Sequence, residues 1–145
     1  MVFFQELMNN GALKISVFAC ILAQILKAFT GKEKRIDLPR MLISGGMPSS
    51  HSSFVTSLAT VVGVEKGFNS SEFAITAVLA LIIMYDAAGV RRAVGRQAEI
   101  LNQIIDDWQH KKEFKQDKLK ELIGHTPMQV WFGGLLGIIV AFLLI

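Results

Sequence analysis

The 145 residues of this chain are enough for one domain, and we expect residues 1–145 to form a single membrane-embedded unit. Hydrophobic residues make up 52% of the sequence, charged residues make up 19%, and the mean hydropathy is +0.45, which predicts an integral membrane protein. A net charge of +3 is too small to indicate a nucleic acid partner, and the single cysteine, Cys20, excludes an internal disulfide.

Four apolar stretches predict an all-α protein, an integral membrane bundle of about four membrane-embedded helices. They cover Ala12–Phe29, the stretch from the serine-histidine turn to Gly63 or Val64, Phe73–Val90, and Met128–Ile145. Spans of about 18 residues are marginal against the roughly 20 that cross a bilayer. The second stretch is rich in small and hydroxylated residues, which let helices pack closely in lipid, so we expect it to be the inner helix of the bundle.

Cap signals delimit the third and fourth spans. Asn69 with Glu72 fits a capping box that opens the third span. Thr126 with Gln129 fits another, and Pro127 suits the first helical position of the fourth span. The sequence therefore predicts helix starts close to residues 70 and 127.

An amphipathic helix and a charged hairpin are predicted between the third and fourth spans. Apolar residues recur every three or four positions from Ala93 to about Trp108, with polar residues opposite them. This helix is expected either to lie on the membrane or to cover the mouth of the bundle. Residues 109–121 are highly charged and predict a solvated hairpin, in which His110 is a surface residue.

A glycine-rich turn before the second span has the composition of an anion site. Residues 45–51 read Gly-Gly-Met-Pro-Ser-Ser-His, so the preceding segment is halted and Ser49 or Ser50 can cap the next helix. Free N–H groups at a helix start, and the positive end of its dipole, favour a phosphate-like charge. His51 in the first turn can exchange a proton near neutral pH. A plain capped turn would have the same short motif.

Four alternating spans bring the polar residues to one side of the membrane. Lys27, His51, Asp86 with the two arginines, and His125 all lie at span ends on that side. Of the 15 basic residues, 13 fall there, all except Lys14 and Lys66, so the positive-inside rule predicts a cytoplasmic site with both termini outside. The expected location is a bacterial cell membrane.

Two histidines with arginines suit phosphoryl transfer without a metal or other cofactor. One imidazole attacks phosphorus, the other protonates the leaving oxygen, and cations and N–H groups offset the charge on phosphate. We expect the phosphate to be bound by five side chains: Lys27, Ser49, Ser50, Arg91 and Arg92. Lys27 can instead be a snorkelling interface residue. Asp86 is expected either to take part in catalysis or to pair with an arginine and hold the bundle together.

Three motifs resemble the divergent branch of the type 2 phosphatidic acid phosphatase (PAP2) superfamily, which is related to vanadium haloperoxidases. They are G-G-M-P-S-S-H-S at 45–52, Y-D-A-A-G-V-R-R-A-V-G-R-Q-A-E-I-L-N at 85–102, and G-H-T-P-M-Q-V at 124–130. The similarity runs from Gln24 to the end of the chain. It implies an all-helical membrane protein and, by analogy, a metal-independent phosphatase that acts on lipid phosphates through a phosphohistidine.

The resemblance also implies roles for both histidines. Residues 48–51 match the P-S-G-H motif of the superfamily, with Ser50 in place of glycine and His51 as the general acid. His125 matches the nucleophile. Four positions later, where an acid should orient the nucleophile, the sequence has Gln129, whose carbonyl can accept the imidazole N–H without neutralising an imidazolium.

Other positions depart further from the superfamily pattern. Arg91 or Arg92 matches the phosphate-binding arginine, although about 33 residues instead of five separate it from the nucleophilic histidine. Lys27 is a stand-in for the first motif, because no K-x6-R-P is present. Asp86 or Glu121 is expected to substitute for the missing orienting acid.

Four functions therefore remain open. The first is hydrolysis of a phosphomonoester or diphosphate, lipid-borne or small, and the second is binding or transport of a phosphorylated lipid without catalysis. A divalent metal site from His51, His125 and Asp86 is less favoured because no tight ligand spacing occurs. The last is a purely structural membrane protein. The sequence also leaves open a homodimer through the Gly133/Gly137 face.

Overall fold

The computed structural model describes residues 2–30, 45–109 and 124–145, and all regular structure in these ranges is helical. Six helices follow in chain order: α1 (Val2–Asn9), α2 (Gly11–Lys27), α3 (Ser50–Lys66), α4 (Ser71–Ala88), α5 (Val90–Gln109) and α6 (Pro127–Leu144). The all-α prediction is confirmed. Residues 110–121 of the predicted charged hairpin, including His110 and Glu121, lie outside the described residues.

Helix α3 is the centre of the bundle and packs against α2, α4 and α6. Its small residues are what allow this: Ser53, Ser57 and Gly63 are fully or almost fully buried. The hydroxyl of Ser53 donates to the carbonyl oxygen of Ala19 in α2 at 3.1 Å, and the hydroxyl of Thr56 donates to that of Gly134 in α6 at 2.9 Å. Side-chain hydroxyls thus hold α3 against α2 and α6 through hydrogen bonds, as is typical of helices packed in lipid.

Two stretches of the described chain are long and apolar enough to cross a membrane. One lies within Ser71–Asp106, which joins α4 to α5, and the other is α6. Both expose large aliphatic and aromatic side chains, such as Leu81 and Phe142. Helices α2 and α3 have 17 residues each, and for them the prediction of a membrane span stays a prediction.

The observed caps confirm both predicted helix starts and correct the cap residue of the first. Thr126 and Gln129 form the predicted reciprocal capping box at the start of α6, with Pro127 in the first turn. At the start of α4, the cap is Ser70, whose hydroxyl accepts the N–H of Phe73 at 3.1 Å. The prediction of Asn69 was wrong by one residue, because two neighbouring side chains were both suitable caps.

The glycine face of α6 packs against the start of α3 in the same chain. A Cβ atom at Gly133 would overlap the backbone of Ser49, and one at Gly137 would overlap the backbone of Ser53 and the hydroxyl of Thr56. The predicted dimer face was therefore misassigned: the small residues that suggested contact with a second copy hold α6 against α3 instead. Whether the protein forms a homodimer through another surface stays a prediction.

Candidate functional site

The polar residues meet at one end of the bundle, where α2 ends, α3 begins, α4 passes into α5, and the chain enters α6. Two backbone hydrogen bonds and one close backbone contact join these segments. Ser49 N–H donates to the carbonyl of Gln129 at 3.1 Å, and His125 N–H donates to that of Ala87 at 3.0 Å. Gly124 lies directly against the backbone of Arg92. The three sequence motifs therefore form one structure.

His125 is held rigidly and almost completely buried, with only 2% of its surface exposed. Gly124, which precedes it, has a φ of +101°, a conformation that favours glycine, and a Cβ there would lie 2.7 Å from Cα of Arg92. The loop that carries His125 consequently fits against the first turn of α5 with no room for a side chain.

The protonation of the His125 ring follows from its partner. Nδ1 lies 3.0 Å from the carbonyl oxygen of Gly46. A carbonyl can only accept, so Nδ1 carries the proton and the lone pair of the neutral ring is on Nε2. Within the described residues Nε2 is buried and has no hydrogen-bond partner. An unpaired buried lone pair is costly, and such groups are commonly found where a ligand or reaction completes them.

The electrostatics of the site keep this ring neutral. Burial lowers the pKa of His125 below its ordinary value, and the nearby charge of Lys27 lowers it further. The nearby side chain of Gln129 and the carbonyl of Gly46 act in the opposite direction, with a smaller effect on the pKa. A neutral imidazole with a free Nε2 is the form that can attack an electrophile.

The start of α3 presents backbone donors beside this ring. Ser49 is the N-cap, and its hydroxyl accepts from the N–H of Ser52 at 3.3 Å. The N–H groups of Ser50 and His51 lie in the first turn, where the helix itself provides no acceptor. Together with the helix dipole, these groups favour an anion at this point.

Lys27 is the buried cation of the site. It is 2% exposed, and its Nζ donates to the hydroxyl of Ser50 at 3.3 Å. Its aliphatic chain passes the turn, with Cδ 4.0 Å from the position of a Cβ on Gly46. The alternative of a snorkelling interface residue is thus excluded by its burial, since a snorkelling amine reaches water.

A second group of charges lies at the outer edge of the site. Arg91 Nε donates to Asp86 Oδ2 at 2.8 Å, in an ion pair whose side chains are 41% and 37% exposed. His51 is exposed, and Arg91, Lys27 and Asp86 are near enough to act on it electrostatically. Arg92 is half-buried in the same turn. His51 and Arg91 are therefore accessible from outside, whereas His125 is buried.

The structure differs from the sequence analysis in how His125 is oriented. Asp86 does not hold the ring, because Nδ1 is taken by the Gly46 carbonyl. The side-chain oxygen of Gln129 accepts the N–H of Thr126 at 3.0 Å, as part of the helix cap. Sequence reasoning missed Gly46 because a backbone carbonyl leaves no residue signature. Gly46 has a φ of +89°, a conformation that favours glycine. The glycine itself was therefore the indirect signal in the sequence.

A metal triad from His51, His125 and Asp86 does not form in the described residues. No group of three or more His, Cys, Asp or Glu side chains in these ranges is arranged to hold a metal ion. The reasons lie in the separate positions just described: Asp86 pairs with Arg91 at the edge, whereas His125 is enclosed by backbone. The residues present suit an anion better than a cation.

Sequence comparison agrees with this arrangement of motifs. Residues 8–140 match the sequence pattern of the divergent PAP2 family. The chain belongs to the divergent PAP2 family. A relative from Bacillus subtilis (strain 168), the uncharacterized membrane protein YuiD, is 43% identical over 152 residues, which covers 96% of each chain. No solved structure is significantly similar to the chain. This member of the family is accordingly a membrane protein of PAP2 type.

Proposed function

We propose that this PAP2-type membrane protein hydrolyses a phosphomonoester or diphosphate, carried by a lipid, through a phosphohistidine on His125. The observation that carries the proposal is the state of the His125 ring. Its Nδ1 is held by the Gly46 carbonyl, and its Nε2 is buried, unpartnered in the described residues, and carries the lone pair. A nucleophile needs this tautomer, this orientation and an unblocked nitrogen.

The reaction would proceed in two balanced steps. In the first, the lone pair of His125 Nε2 forms a bond to phosphorus, the bond from phosphorus to the leaving oxygen breaks, and His51 in its protonated form gives that oxygen a proton. In the second, water attacks phosphorus, loses a proton to His51, and releases inorganic phosphate as the bond to Nε2 breaks. His51 is accessible at the edge of the site, as an acid serving a departing alcohol must be.

The charged groups around the ring would bind the phosphate and offset its charge as the bonds change. Lys27 is the buried cation, and the N–H groups at the start of α3 add partial positive charge. Arg92 and Arg91 would close the outer side, with Asp86 setting the position of Arg91 through their ion pair. This set of groups needs no metal for its role.

The location proposed for the site is the cytoplasmic face of a bacterial cell membrane. The support is the charge distribution, since four alternating spans would put 13 of the 15 basic residues, all except Lys14 and Lys66, on the side of the site. Cysteine substitutions at Lys66 and at His51, labelled with a membrane-impermeant thiol reagent in a Cys20→Ser background, test this. The proposal requires labelling from outside at position 66 and protection at position 51.

A second candidate function is binding or transport of a phosphorylated lipid without hydrolysis. The observation that favours it is the neutral acceptor on His125. A carbonyl orients the ring but does not neutralise the positive charge that the ring acquires when Nε2 is phosphorylated, as a carboxylate would. The same pocket would then bind the phosphate and release it intact.

One experiment distinguishes the two functions. Purified protein in detergent, with a chelator present, is given a phosphatidic acid, a polyprenyl diphosphate and a water-soluble aryl phosphate, and phosphate release is measured alongside lipid binding. Hydrolysis requires release by the parent protein, and none by His125→Ala with binding retained. The matched control is His110→Ala, which removes a histidine from the charged segment. Binding without release from any substrate would establish the second function, and Arg92→Ala should weaken binding in either case.

A further inference from the structure

We infer that α5 is a membrane-interface helix, whose exposed apolar stripe rests on the lipid surface beside the candidate site. The stripe is defined by five residues at helical spacing: Val90, Val94, Leu101, Ile104 and Trp108. Their exposed fractions range from 43% to 73%. Gln97 interrupts the stripe between Val94 and Leu101. No part of the described chain covers the five apolar side chains, and their exposure to water would be unfavourable.

The remaining surface of α5 divides into two further faces. Gly95, Ala98 and Asn102 are buried and lie on the side that packs against the protein. Arg96, Glu99 and Gln103 are exposed and face a third direction. At 100° per residue, the centre of the stripe lies about 110° from the centre of the buried face. Contact with protein on one side, lipid on the next and water on the third is the environment of a helix lying in the interface.

The stripe follows a candidate membrane-spanning segment along the chain. Helix α4 passes into α5 without a loop: Gly89 N–H donates to the carbonyl of Tyr85, and Ala93 N–H donates to that of Gly89. The exposed aliphatic side chains of α4, such as Ile82, are thus separated from Val90 by the turn that carries Tyr85 and Asp86, where the apolar surface of α4 ends. Two helices of 18 and 20 residues would together be about 57 Å long, roughly twice the hydrocarbon thickness, so α5 cannot share the span.

Lipid fits the stripe better than a second copy of the chain. The stripe has five apolar side chains, far fewer than the roughly 20–30 residues a side of a stable protein interface. Trp108, the most exposed of them, is a residue type enriched at the membrane–water interface. Arg96 on the adjoining polar face suits anionic headgroups.

Attachment of α5 to the surface would set the depth of the candidate site. The first turn of α5 is in contact with the loop of His125 through Gly124 and the backbone of Arg92. The site would then lie at the level of the lipid headgroups, where a phosphate carried by a lipid of the same leaflet can reach it. This last consequence rests on the proposed function, whereas the placement of α5 does not.

Tryptophan fluorescence tests the placement directly, because the chain has two tryptophans. The Trp131→Phe variant, reconstituted in phosphatidylcholine and phosphatidylglycerol vesicles, reports on Trp108 alone. We expect Trp108 to lose most of its emission when the lipids carry bromine near the glycerol end of their acyl chains, and to resist quenching by aqueous iodide. Iodide quenching without bromine quenching would overturn the inference. Resistance to both quenchers would also overturn it, since protein would then cover the stripe.

A pair of neighbouring substitutions provides the matched control. Ile104→Glu adds a charge to the stripe and should reduce bromine quenching of Trp108, whereas Gln103→Glu adds the same charge to the water-facing side and should leave it unchanged. Equal effects of the two would contradict the assignment of faces. The readout is independent of phosphate release, so it stands or falls separately from the proposed activity.

Discussion

Replacing Gly133 with alanine should separate α6 from the start of α3 and weaken the fold at the candidate site. A Cβ at this position would lie 2.9 Å from the backbone nitrogen of Ser49 and nearer still to its carbonyl oxygen. The obstacle is backbone, which cannot rotate away as a side chain can. The strain must therefore be relieved by movement of one helix relative to the other.

The size of the effect follows from the distances. Restoring an ordinary contact of about 3.3 Å between Cβ and the carbonyl oxygen requires the helices to separate by about 1 Å. The hydrogen bond from Ser49 N–H to the carbonyl of Gln129, now 3.1 Å, would then lengthen beyond bonding range. Overpacking costs about 1–3 kcal/mol and the lost bond about 1 kcal/mol, against a gain of about 1 kcal/mol in helix propensity. We expect Gly133→Ala to destabilise the protein by about 1–3 kcal/mol.

The neighbouring glycine provides the control for this measurement. A Cβ at Gly134 would meet the flexible end of Met84 at 3.2 Å and a methyl group of Thr56 at 3.5 Å, so Gly134→Ala should be neutral or slightly stabilising. Both variants are compared with the parent by equilibrium unfolding in mixed micelles with increasing SDS. If Gly133→Ala proves as stable as Gly134→Ala, the close contact between α6 and the serine turn is refuted.

Three further predictions concern the site itself. Gly124→Ala places a side chain against the backbone of Arg92 at a φ of +101°, so affinity for inorganic phosphate, measured by titration calorimetry, should fall several-fold. The pKa of His125 is lowered on folding, so as pH falls the unfolded chain binds a proton before the folded chain does. The free energy of unfolding, measured in the same SDS assay, should therefore decline below a pH of about 6.5, and less steeply in His125→Gln. Asp86→Asn should cost less than about 1 kcal/mol in the same unfolding assay, because its ion pair with Arg91 is well exposed; a larger loss would contradict a peripheral role.

The parts of the fold that the sequence predicts well are those fixed by local chemistry. The capping box of Thr126 and Gln129 satisfies its own backbone groups, so its residues identify the start of α6 without knowledge of the bundle. The small and hydroxylated residues of α3 likewise predict an inner helix, because in lipid close approach and hydroxyl bonds are what hold helices together. Their predicted consequences are seen in the packing around Ser53 and Gly134.

The parts that could not be predicted depend on which surfaces meet. A GxxxG face looks the same whether its partner is another chain or α3, so Gly133 and Gly137 could not reveal which. The hydrogen-bond acceptor that orients His125 could not be predicted either. Every residue has a backbone carbonyl, and only the folded turn brings that of Gly46 to Nδ1. Burial of Lys27 was equally undetermined, since the same residue at a helix end can reach water or turn inward.

The neutral acceptor and the buried lysine together define the electrostatic character of the site. With Lys27 nearby and no carboxylate on Nδ1, a neutral His125 is favoured and a bound dianion gains the full attraction of the cations. Phosphorylation of Nε2 would place a positive ring beside that lysine, with only a carbonyl dipole to compensate. In the proposed reaction, this geometry would therefore strengthen phosphate binding and weaken stabilisation of the covalent intermediate. This chain departs from the superfamily pattern because no carboxylate holds Nδ1 of His125. Of the two proposed steps, this difference would affect formation of the phosphohistidine most directly.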